Sequence, residues 1–193
     1  MTTIRIRGTN MEYLVSSMVK AIKFSREAAE VQRTHGTPGL GDHSIAKHSF
    51  NMVTMLLILR PDAPRDLIIA CLKHDIPERI TGDMPSPAKK AGIQNDDAQE
   101  TAEYNIQMAV FGEYEVEDLS VEDKKWLAGL DMLDFYCYCK DQLMFGNRRV
   151  NTQMKRFHAR MPHSAHLYPV EIMDMYYKIK DDPWEQMPDS EGA

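Results

Sequence analysis

Apolar residues recur every three or four positions along nearly the whole chain and almost nowhere alternate, so the sequence can fold into little besides packed helices. Met11, Leu14, Val15, Met18, Val19 and Ile22 mark one helix face, with Asn10 as a good N-cap. The stripe Ile45, His48, Met52, Met55 or Leu56 and Leu59 predicts a helix over 45–59 capped by Ser44. Pro61 and Pro64 end it and open a third, over about 63–75, with Asp62 as the cap. Pro77, Gly82, Pro85 and Pro87 make 76–90 irregular, and a fourth helix is expected over about 97–111. Ser120, with Asp123 three residues on, opens a fifth that carries Trp126, Leu127, Leu130, Leu133 and Cys137 as far as Phe145. Shorter helices are expected over 150–161 and 169–180, and the tail 181–193 is expected to fray. Only Thr2 to Arg7 alternates, and it is too short and too terminal to define a sheet. The expected fold is all-α, a single-domain helical bundle over 1–180.

Charge and composition narrow the partners. The 193 residues carry a formal charge of −6 with no basic run, a poor basis for binding nucleic acid or an anionic membrane. The longest apolar stretch, Met52 to Leu59, is broken by Thr54 and falls far short of the ~20 residues that span a bilayer. No apolar signal core opens the chain, so a cytoplasmic protein is expected, in the host cytoplasm if phage-encoded. Cys71, Cys137 and Cys139 are odd in number and lie in apolar segments; they read as reduced core thiols.

The chemistry lies where polar groups interrupt apolar faces. There is no phosphate loop, dinucleotide fingerprint or nucleophile elbow. Instead His48 lies on the stripe of the second helix, and His74 on that of the third with Asp75 next to it. Asp131 and Asp134 share a face of the fifth. Burying such a group alone costs several kcal/mol, so several together call for shared compensation. A divalent cation is the natural partner; imidazole with carboxylate and no thiolate suits Mn, Fe, Co, Ni or Zn.

Four segments carry a resemblance: Ile45-Ala46-Lys47-His48-Ser49, Leu72-Lys73-His74-Asp75-Ile76-Pro77-Glu78, Thr81-Gly82-Asp83-Met84-Pro85-Ser86-Pro87-Ala88-Lys89, and Gly129-Leu130-Asp131-Met132-Leu133-Asp134. From about Gln32 to Asn147 the chain resembles the HD-domain phosphohydrolases, most of all the bacterial 5′-deoxynucleotidases and their phage relatives. The resemblance implies His48, His74, Asp75 and Asp131 as metal ligands. It implies Glu78 and Asp83 as the catalytic acids that position or exchange protons with water and the departing oxygen. Arg33, 15 residues before His48, stands where the resembling enzymes place a phosphate-binding arginine. Lys89 is the second candidate for phosphate, and Pro87 for the base or sugar. His35 and His43 are left over; they read as solvated loop residues, with a phosphate contact as the alternative.

Three positions depart from the family pattern: Lys47 stands in place of Glu, Thr34 in place of Trp, and Ala128 in place of Lys. They bear on the substrate rather than on the metal. The implied activity is hydrolysis of the 5′-phosphate of a deoxyribonucleotide, with a triphosphohydrolase or a catalytically silent nucleotide-binding protein as alternatives. A homo-oligomer is expected; the late aromatics Tyr168, Tyr176, Tyr177 and Trp184 form its surface or close the core.

Overall fold

The structure is a computed structural model that describes residues 11–33, 39, 41–83, 96–112 and 119–185. Eight α-helices occur among them: α1 Met11–Ala28, α2 Ile45–Leu59, α3 Arg65–Lys73, α4 Glu78–Thr81, α5 Asp96–Phe111, α6 Val121–Met144, α7 Asn151–Ser164 and α8 Val170–Asp181. The described residues form no strand, only one isolated antiparallel bridge between Gln32 and Ser44. The chain is therefore all-α, as its periodicity predicts. No described helix is long and apolar enough to cross a membrane. Asn10, the stretch from Thr2 to Arg7, Thr34, His35, Pro87 and Lys89 lie outside the described residues.

Capping chemistry sets the two helices that matter most. Ser44 accepts from the Lys47 backbone N–H at the start of α2. Ser120 accepts from the Asp123 N–H at the start of α6 and donates its hydroxyl to the Asp123 carboxylate at 2.7 Å. The third helix differs from expectation. It begins at Arg65 behind Pro64 with no side-chain cap, because proline at the boundary already sets the entry angle and Asp62 lies two residues too early. A short helix, α4, also forms within the segment expected to be irregular.

Helix α6 is the axis of the bundle, with α2, α3, α7 and α8 packed around it. Met52 and Leu56 of α2, Leu67 and Cys71 of α3, Leu130, Leu133 and Tyr136 of α6, and Ile172 and Tyr176 of α8 share one core. Each such side chain contributes about 1.5–3 kcal/mol by leaving water. At Gly129 an added Cβ would come within 3.2 Å of Ile172, so the missing side chain lets α8 approach α6 closely. Tyr176 is buried against Tyr136 and closes the core, whereas Tyr177 remains 40% exposed. The three cysteines are free, and burial pushes each thiol up to about 12.

The apolar face of α1 does not reach the axis: Met18, Val19 and Ile22 are exposed, and α1 packs on α4 and α5. The chain beyond Asp181 does not fray at once: Lys140 donates to the Asp182 carbonyl at 2.6 Å and the Trp184 indole donates to Asp141 at 2.8 Å.

Candidate metal centre

Three helices deliver the two imidazoles and three carboxylates to one place. His48 lies one turn into α2, whose start is tied back to the end of α1 by an Ile45 N–H to Val31 carbonyl bond of 2.9 Å. His74 follows α3, its backbone N–H still bonded to Ala70 at 3.0 Å, and Asp75 comes next. Asp131 and Asp134 are three residues apart on α6 and so face the same way.

The Nε2 atoms of His48 and His74 are 3.3 Å apart. His48 Nε2 is 3.4 Å from Asp75 Oδ2 and 3.4 Å from Asp131 Oδ1, and His74 Nε2 is 3.3 Å from Asp75 Oδ1. In each ring the other nitrogen is engaged as a donor: His48 Nδ1–H to Asp134 at 2.6 Å, His74 Nδ1–H to the Cys71 carbonyl at 3.2 Å. Both Nε2 atoms are thus left with lone pairs that face each other. Between neutral rings that contact is repulsive; a shared cation turns it into an attraction. Donors about 2.0–2.2 Å from one ion, at tetrahedral or octahedral angles, lie about 2.8–3.6 Å from one another. All four spacings fall inside that range. His48, His74 and Asp75 form a group able to hold a divalent metal ion, and Asp131 stands ready as a further carboxylate. Burial lowers the His74 pKa; Asp131 opposes this, while His48 and Arg33 add to it, and the ring titrates at about 4. At neutral pH His74 is therefore uncharged, as a ligand must be.

A second tight group, His43, His48 and Asp134, has a different character. Its His48–Asp134 distance of 2.6 Å is too short for two ligands of one ion and fits a charge-assisted hydrogen bond. His43 Nε2 lies 3.3 Å from the same oxygen, and Asn51 donates to the other at 2.9 Å. Burial would raise the Asp134 carboxyl, but the hydrogen bonds from His43, His48 and Asn51 hold it well below the usual carboxylate range. His43 is accordingly not a solvated loop residue. It is buried, with its ring stacked on Tyr138 at 4.2 Å between centroids.

Arg33 reaches the same place from the end of α1. Its guanidinium pairs with Asp75 and, at 2.9 Å, with Asp131. Its backbone N–H bonds the His43 carbonyl at 2.9 Å, so Arg33 and His43 enter the centre side by side. Glu78 follows Asp75 by one turn, its N–H bonded to the Asp75 carbonyl at 2.9 Å and its Oε2 shielded from solvent. Asp83 lies half-buried past the end of α4, after Gly82, whose φ of 73° suits glycine at that turn. Lys47 bonds the Asp42 carbonyl at the surface and Ala128 is exposed, so neither departure touches the imidazoles.

The sequence pattern does not assign roles to His43 and Asn51. Asn51 carries a signal, since it lies one turn beyond His48 on the same helix; His43, in a loop, carries none.

Residues 29–121 match the family model of the HD domain. No curated protein matches the chain. The match spans just under half the chain and holds Arg33, His48, His74, Asp75, Glu78 and Asp83, and it supports the HD-domain superfamily for this part. HD domains are in general metal-dependent hydrolases. Asp131 and Asp134 lie beyond the matched residues, and the fold brings them to the same centre.

Proposed function

We propose that the chain is a metal-dependent phosphohydrolase that removes the 5′-phosphate of a deoxyribonucleotide. The observation that carries the reading is the meeting of two imidazole Nε2 atoms, two carboxylates and one guanidinium at one place. His48, His74, Asp75 and Asp131 would hold the ion. When bound, the cation supplies charge against the phosphoryl oxygens and lowers the pKa of water.

The chain's own groups do the remainder. Arg33 offers two parallel N–H donors, which match a pair of phosphate oxygens better than an ammonium does. With Asp75 and Asp131 given over to the ion, that fork turns to the substrate. Glu78, one turn from Asp75, takes the proton from the attacking water or gives one to the departing sugar oxygen. Asp83, next along the chain, serves the sugar side; from the sequence alone, Pro87 is assigned to the base or sugar and Lys89 to phosphate. Phosphate and deoxynucleoside are the products.

A panel of dNMPs, NMPs and dNTPs with Mn²⁺, Co²⁺, Zn²⁺ and Mg²⁺ tests the reading. Inorganic phosphate released from dNMPs supports it. Triphosphate released from dNTPs replaces it with a triphosphohydrolase, and nucleotide binding without turnover replaces it with a silent binding protein.

A further inference from the structure

The centre has a back wall that the proposed reaction does not use. Asp134 lies behind His48, buried on α6, and three donors converge on its carboxylate: His48 Nδ1 at 2.6 Å, His43 Nε2 at 3.3 Å and Asn51 Nδ2 at 2.9 Å. Those donors come from α2 and from the loop just before it, so one carboxylate clamps α6 to the start of α2. Among the described residues the groups that meet its two oxygens can all donate, so it serves as an acceptor. That fixes the proton of His48 on Nδ1 and leaves Nε2 bare toward His74, Asp75 and Asp131. Were the proton on Nε2, it would point at the place a cation would take, and Nδ1 would set a lone pair against a carboxylate oxygen at hydrogen-bonding distance.

We infer that Asp134 is the positioning residue of the metal centre, selecting the Nδ1–H tautomer of His48, and that His43 and Asn51 hold Asp134 in place to do so. The inference rests on the metal-centre reading given under Proposed function. A carboxylate behind a ligand imidazole raises its basicity and fixes its orientation, and loss of such a partner costs about 10–100-fold in metal affinity. His43 fits its part: its Nε2–H faces Asp134, and its ring is wedged flat against Tyr138, which prevents it from turning away.

The test uses the full chain and Zn²⁺ as the probe, with affinity read by competition against a chromophoric chelator and the His48 tautomer read by long-range ¹H–¹⁵N NMR. The wild type is expected to show His48 as Nδ1–H both with and without Zn²⁺. Asp134→Asn keeps an acceptor but loses the charge, and a loss near the lower end of that range is expected. Asp134→Leu keeps the bulk and loses both, with a loss near the upper end and a mixed His48 tautomer. His43→Asn, which disturbs less of the core, is expected to lose a few-fold and decides the matter if the Asp134 variants do not fold. Wild-type His48 protonated on Nε2 in the metal-free chain overturns the inference. So does an Asp134→Leu or His43→Asn protein with wild-type Zn²⁺ affinity, and so does a weakened affinity with an unchanged tautomer in Asp134→Leu. If the wild type itself does not bind Zn²⁺, the metal-centre reading fails with it; if it binds and the variants bind equally, only the inference fails.

Discussion

The two nitrogens of His48 face different worlds. On the Nε2 side stand Asp75, Asp131, 46% exposed at its side chain, and a second imidazole, with the guanidinium of Arg33 on the two carboxylates. On the Nδ1 side stands Asp134, 3% exposed, locked by three hydrogen bonds and backed by a stacked pair of rings. The chemical groups are nearly the same on both sides: imidazole, carboxylate, and a nitrogen donor. What differs is exposure: Asp131 is open to solvent where Asp134 is sealed. An open carboxylate can release Arg33 for an ion and be compensated at once by solvent or cation. A sealed one cannot lose a donor without leaving a buried charge short of a bond, which is why it holds its geometry. The front wall is arranged to bind and exchange, the back wall to orient.

The front wall should be the more sensitive in turnover. Asp75→Ala removes a carboxylate that meets both imidazoles and Arg33, and it should abolish metal retention and activity together while the far-ultraviolet helical signal survives. Full metal content and rate in that variant would mean that the ion binds elsewhere. Glu78→Gln separates holding the ion from moving a proton. Metal content should stay at the wild-type level and kcat fall by on the order of 10²-fold or more. Metal analysis and initial rates on one preparation decide it; loss of metal would move Glu78 among the ligands.

Arg33 tests whether the front wall exchanges partners at all. Arg33→Ala should lower kcat/KM by about 2–3 kcal/mol, the scale of a charge-assisted contact, with Arg33→Lys recovering only part. Metal retention should not fall, since Asp75 and Asp131 lose a competitor for the ion. Reduced metal content in Arg33→Ala would instead make the guanidinium a fixed part of the ligand frame, and the contrast between the two walls would weaken.

Much of the front wall is legible in the sequence, and little of the back. His48 and Asp131 interrupt apolar stripes on two helices, which marks them as candidates, and the motifs around His74-Asp75 and Asp131 turn the candidates into a set. Helix boundaries at Ser44 and Ser120 follow because capping is local chemistry. His43 is different. It sits just before α2, and what buries it is Tyr138, 95 residues away and one turn past Asp134. No local pattern encodes that meeting; it depends on how α6 crosses α2. The same limit explains α1, whose apolar spacing predicts a helix correctly but not which neighbour it packs against, so Met18, Val19 and Ile22 end at the surface.

The smallest effect is expected at the outer layer of the back wall. Tyr138 acts on the centre through His43, which it supports by a stacked face 4.2 Å away with the planes 10° apart. Tyr138→Leu keeps an apolar side chain at that position and removes the aromatic pairing, a loss of about 0.5–1.5 kcal/mol. Urea unfolding of the two proteins should show a lower midpoint with an unchanged slope, which marks a change in stability without a change in the unfolded state. Because the ring acts on His43, and only through His43 on Asp134, Zn²⁺ affinity and kcat should each change by less than about two-fold, well inside the effect of losing the carboxylate itself. A Tyr138→Leu protein of normal stability would show that the stack contributes nothing to the wall. One of reduced activity at normal metal content would show that the sealed side reaches the reacting groups directly, and the division drawn at His48 would have to move outward.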